Sequence, residues 1–135
     1  MAKDLGIPRH AFWLRWLKRG LRIGAIYDLI FAAMMVFAPH LATRFLDLQP
    51  PEEPYYLWLI AVFLLMLAGF YFLAAYDPEA YRGNIDIAIV GRTLGFLALA
   101  AGAWGRPEMW GLWVLAAGDL FFAIFHVICW VPIRR

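Results

Sequence analysis

Residues 85–104 read IDIAIVGRTLGFLALAAGAW, an apolar run broken about a third of the way along by one arginine, Arg92. A helix of that length extends about 30 Å, the thickness of a bilayer's hydrocarbon core. A guanidinium at that depth costs at least about 2.5–3.5 kcal/mol, so other segments must supply it with partners. Two other apolar runs carry suitable acids, Asp28 in the first and Asp119 in the last. The pattern predicts an all-α membrane protein, a single domain over residues 1–135. Its four transmembrane helices form an antiparallel bundle closed around that charge set.

The composition agrees. Of 135 residues, 64% are hydrophobic and 16% charged, whereas soluble domains run near 45–50% apolar and about 25% charged. A net charge of +2 gives no support to nucleic-acid binding, and the basic residues are better explained by membrane topology. The single cysteine, Cys129, excludes an intrachain disulfide. No metal-ligand spacing, phosphate loop or nucleophile elbow is present, so no metal site is expected and no catalytic residue is named.

Working outward from residue 85, the preceding turn DPEAYRGN (77–84) is short and polar, which makes spans two and three antiparallel neighbours. The second span, 55–76, carries no charge and is expected to be the helix most exposed to lipid. Its Tyr55, Tyr56 and Trp58 at one end, and Tyr71 and Tyr76 at the other, read as interfacial anchors. Before it, residues 39–54 contain Pro39, Pro50, Pro51 and Pro54, which leave room only for a short helix over 41–48. The first span, 21–38, places Gly20, Gly24 and Asp28 on one face at a four-residue spacing. Basic, Trp and Leu residues interleave over 7–20, as in an amphipathic helix lying in the headgroup plane. A cleaved signal peptide is the rival reading, disfavoured by the absence of an A-x-A site and by Asp28 in the apolar run.

The third span carries a stripe of Gly91, Gly95, Ala98 and Gly102 beside Arg92, which permits close helix approach. The fourth, 109–131, places Gly111, Leu115, Asp119, Phe122 and His126 on one face. Nine basic residues fall on the side holding both termini and two, Arg44 and Arg106, on the other. This asymmetry predicts cytoplasmic termini in a bacterial inner membrane. Counting the helical rise puts Asp28 and Arg92 at matched depth, roughly 10 Å in. Asp119 falls near the midplane and His126 closer to the cytoplasmic surface.

The candidate polar cluster is thus Asp28, Arg92, Asp119 and His126. Two carboxylates around one guanidinium leave one negative charge, unless a proton or His126 compensates it. The cluster reads either as a clamp fixing helix register or as the lining of a proton-linked or ligand-binding cavity. His126 is also a candidate axial ligand for a haem- or chlorophyll-type macrocycle, against a neutral imidazole bonded to Asp119 or a backbone carbonyl. His10 and His40 are expected in solvated segments, and Cys129 as a small apolar residue. DLIFA at Asp28 is echoed by DLFFA at Asp119, in helices of opposite direction.

Four pieces, LRIGAIYDLIFAAMMVFAP, AAYDPE, IVGRTLGF and GDLFFAIF, resemble the small bacterial four-helix membrane proteins of DoxX-like type across roughly residues 21–128. In those proteins the third span tends to carry Gly-Lys where this chain has Gly91-Arg92, and the last Asn-Asp where it has Gly118-Asp119. The resemblance implies a cytoplasmic-membrane protein loosely associated with redox or quinone systems. It brings no catalytic residues.

Three functions follow as expectations. The favoured one is an accessory subunit of a larger respiratory- or photosynthetic-type membrane complex, with the bilayer and other membrane subunits, or a second copy, as partners. The second is a small enzyme or transporter holding a lipophilic or quinone-like ligand at the Asp/Arg/His cluster, which requires a cavity there. The third is a pigment-binding protein using His126. The sequence requires no cofactor, though a tetrapyrrole or quinone is compatible with it. The absence of a catalytic constellation points away from an enzyme.

Overall fold

A computed structural model describes residues 9–47 and 51–134, in which the secondary structure is entirely helical. Helix α1 spans Arg9–Phe37, α2 Pro39–Phe45, α3 Tyr55–Tyr76, α4 Arg82–Ala103 and α5 Trp110–Arg134, with a 3₁₀ turn at Pro107–Met109 before α5. Four of these helices are long and apolar enough to cross a membrane.

Each α1 boundary has a local cause. Ala38 leaves the helical conformation immediately before Pro39, as the residue preceding a proline tends to do. At the other end residues 9–20 are not a separate in-plane helix. They are the first turns of a continuous 29-residue α1, about 43 Å long and so longer than the hydrocarbon core. The reason is burial: Leu17 and Leu21 lie wholly inside the bundle with Trp13 and Leu14 packed behind them, so the helix continues straight through. Residues 7 and 8 lie outside the described residues.

Helix α1 packs mainly against α3 and α5, and α4 mainly against α5, with a lighter α3–α4 contact. This places α1 and α4 on a diagonal of the bundle. The expected neighbourhood of spans two and three exists, but α3's chief partner is α1. The uncharged α3 is also not the most exposed helix: 28% of its most apolar stretch is buried, against 17% for α4. Its buried Ala61, Ala68, Ala74 and Ala75 explain this, because small side chains let α1 approach closely.

Polar links fasten the end of the bundle where α1 begins and α5 ends. Lys18 Nζ donates to the Tyr76 carbonyl at the end of α3 at 3.0 Å, a cation at a helix C-terminus. Asp77 Oδ1 accepts from the backbone N–H groups of Glu79 and Ala80 at 3.1 and 3.0 Å and shapes the turn into α4. Trp130 Nε1 of α5 donates to Asp86 of α4 at 3.0 Å, with Arg134 3.5 Å from the same carboxylate. At the opposite end the Leu46 carbonyl lies against Gly111, where any Cβ would collide with it. The outward faces are apolar, with Phe63, Met66, Val90, Leu94, Phe121 and Ile128 all exposed. Such a surface belongs in lipid.

Candidate functional site

The centre of the bundle is Arg92. Although it sits on the least buried spanning helix, its own side chain is only 7% exposed. The guanidinium forks: Nη2 donates to Asp28 Oδ1 of α1 at 2.7 Å, and Nη1 donates to Asp119 Oδ1 of α5 at 2.6 Å. Nη2 also approaches the Gly24 carbonyl at 3.4 Å. A planar group with donors on two arms suits acids arriving from two helices, where a lysine ammonium offers only a point charge. Asp28 is completely buried and Asp119 is 15% exposed.

Aromatic rings close the cage. The guanidinium carbon lies 5.5 Å from the ring centroid of Tyr27 (α1), 5.3 Å from Tyr71 (α3) and 5.2 Å from Phe122 (α5). All are within cation–π range, so every spanning helix contributes to the site. Tyr71 is therefore not an interfacial anchor. It lies five residues before Tyr76, about 7.5 Å deeper along α3, and is 1% exposed against 79% for Tyr76.

Glycines set these distances. Gly20, Gly24 and Asp28 do share a buried face: Gly20 meets Phe125, and Gly24 faces Tyr71 and Arg92. A Cβ at Gly95 would overlap the Asp119 carboxylate, so this glycine lets the acid reach Arg92. The rest of the α4 stripe divides. Gly102 faces Leu112, while nothing lies within 4 Å of a Cβ at Gly91, and Ala98 is exposed. The DLIFA and DLFFA segments meet here, each presenting its aspartate to one arm of the same guanidinium.

His126 does not join the ion cluster. It is completely buried and makes no bond to Asp119; its ring lies against the Gly20 backbone of α1, without a well-aligned hydrogen bond among the described residues. Tyr71 and Phe122, the rings over Arg92, lie 6.3 and 6.0 Å from the imidazole, with Phe125 at 6.2 Å. Tyr71 and Phe122 therefore border both the imidazole and the Arg92 guanidinium. This enclosure does not fit an axial macrocycle ligand, which needs open space beside a ring nitrogen. His10 and His40 are exposed, as expected, and Cys129 packs in the apolar core. Among the described residues no group of three potential metal ligands occurs.

Beside the triad is a cavity of about 310 Å³, at the lower end of the ligand-pocket range. Asp28, Arg92, Asp119 and Tyr27 form its polar end, and Phe31, Met35, Leu64, Leu99, Leu112 and Leu115 wall it toward the α2 side of the bundle. Two buried atoms of the Asp28–Arg92–Asp119 cluster, Asp28 Oδ2 and Arg92 Nε, have no hydrogen-bond partner among the described residues. A second cavity, between α1 and α5, shares Tyr27, Phe31, Leu46 and Leu115 with the first and reaches the exposed Ile30 and Val114. The two spaces thus share part of their lining.

Neither a protein-family model, nor a curated protein, nor a solved structure matches the chain. A functional reading therefore rests on the site itself.

Proposed function

We propose that this multi-pass membrane protein binds a lipophilic molecule with a small polar head, of quinone-like class, its head against the Arg92–Asp119 end of the ion cluster. The observation that carries the reading is the apolar cavity that ends on the ion cluster, where Arg92 and Asp119 keep some accessible surface beside Tyr27. A guanidinium and a carboxylate at one end of an apolar space suit a head group offering a carbonyl and a hydroxyl. The apolar walls suit a ring or chain, and the α1–α5 gap offers a lateral path from lipid. The resemblance to DoxX-like proteins points the same way, and the charge asymmetry supports an inner-membrane location with cytoplasmic termini. No catalytic base is assigned.

Organic extraction of the purified protein followed by mass spectrometry tests this reading. It predicts an amphiphile enriched over the bulk membrane in the wild type and lost in Leu112→Trp, which fills the cavity. Equal lipid profiles for the two proteins would refute it.

A second reading, a subunit of a larger membrane assembly, is supported by the open face of α4 around Gly91 and Ala98. It predicts larger subunits co-purifying after mild detergent extraction. A monodisperse preparation of this chain alone would count against it.

A further inference from the structure

Helices α1 and α5 flank a second feature, which shares Phe122 with the aromatic cage of Arg92 and opens toward the end where α1 begins. It is a groove of about 460 Å³, lined by Trp16, Arg19, Arg22, Ile23, Phe121 and Phe125 among others. Its floor exists because residue 20 is glycine, which lets the Phe125 ring lie on the α1 backbone. Its rim is cationic. Arg19 and Arg22 are both exposed, and neither forms an ion pair with a carboxylate among the described residues. The Arg19 guanidinium rests 5.2 Å from the Trp16 ring centroid, which holds it at the groove's edge. Arg15, Arg19 and Arg22 follow one another at i, i+4 and i+7, so the positive stripe continues along one face of α1 beyond the groove.

We propose that this groove is a binding site for an anionic phospholipid. The phosphodiester would sit between Arg19 and Arg22, and an acyl chain would lie over Ile23, Phe121 and Phe125. Charge complementarity decides the occupant. Two exposed guanidiniums next to an apolar trough match a ligand with an anion at one end and a hydrocarbon at the other. A zwitterionic lipid fits the trough equally well but brings an ammonium to a site already positive. The site is independent of the cavity at Arg92, so either proposal stands if the other fails.

Native mass spectrometry of the full-length protein, titrated with phosphatidylglycerol or with phosphatidylcholine of the same chains, tests the proposal. The wild type is expected to retain phosphatidylglycerol preferentially. Each of Arg19→Gln and Arg22→Gln is expected to weaken that retention about fivefold, the value of one cation at an anionic surface. The exposed Arg44→Gln, at the opposite end of the bundle, should leave it unchanged. Because both groove arginines are exposed, the double variant is expected to keep the wild-type melting temperature, so weaker retention does not reflect misfolding. Equal retention of the two lipids by the wild type would overturn the proposal. So would a double variant that holds phosphatidylglycerol as well as the wild type does.

Discussion

Replacing Arg92 by leucine removes the one cation that two buried acids share. The two charge-assisted hydrogen bonds it donates, at 2.7 and 2.6 Å, are each worth about 1.5–3 kcal/mol. Their loss leaves Asp28 with no solvent contact and no counter-charge. Removing one partner of a buried ion set costs about 3–5 kcal/mol, which for a chain of this size lowers the melting temperature by about 10–20 °C. The triple variant Arg92→Leu, Asp28→Leu, Asp119→Leu should behave in the opposite sense. It replaces the whole set by apolar groups, a change that is often neutral or stabilising by about 1–4 kcal/mol. Intrinsic tryptophan fluorescence during heating of the detergent-solubilised protein reads both variants. A leucine at position 92 that leaves the transition unmoved would refute the reasoning. So would a triple variant as unstable as the single one.

Four further outcomes follow from the geometry. Arg92→Lys keeps the charge but loses the fork, so one carboxylate goes unserved and stability falls by about 1.5–3 kcal/mol; thermal unfolding measures it. Gly95→Ala pushes its Cβ into the Asp119 carboxylate and should cost about 1–3 kcal/mol. That cost should shrink in an Asp119→Ala background, as a double-mutant cycle will read. Gly111→Ala meets the Leu46 carbonyl, which is backbone and cannot turn away, whereas Gly69→Ala points into open space; parallel melts should separate the two. His126→Phe removes from an aromatic nest two ring nitrogens that make no well-aligned hydrogen bond among the described residues and should leave stability equal or raised, again by melting temperature.

Much of the arrangement was legible because charge in a membrane has so few options. Arg92 demanded partners, and only Asp28 and Asp119 stood at compatible depths in other spans. The glycine spacing at 20 and 24 marked the face on which Asp28 lies. Tyr71 was missed for a physical reason. Helix α3 is apolar all round, so no hydrophobic period reveals its inner face. A signal was nevertheless present in Ala61, Ala68 and Ala75, seven residues apart and all buried. That stripe marks the α1-facing side and places Tyr71 beside it. The continuity of α1 was hidden because the basic residues that decorate residues 9–22 resemble an in-plane helix. Leu17 and Leu21 override that resemblance by packing into the core. The cavity was not readable at all, since its volume depends on how Phe31, Leu64, Leu99 and Leu112 fail to meet, and no pairwise spacing encodes that.

The central claim, that one guanidinium is shared by acids from α1 and α5, can be measured in the bilayer itself. Solid-state NMR on protein labelled at arginine nitrogens and aspartate carboxyl carbons, in lipid, would read it. The account predicts dipolar contacts from the two terminal nitrogens of Arg92 to two different carboxyl carbons, assigned to Asp28 and Asp119 and each abolished by the matching Asp→Asn variant. An Arg92 side chain that contacts neither carboxylate and cross-relaxes with water would contradict it.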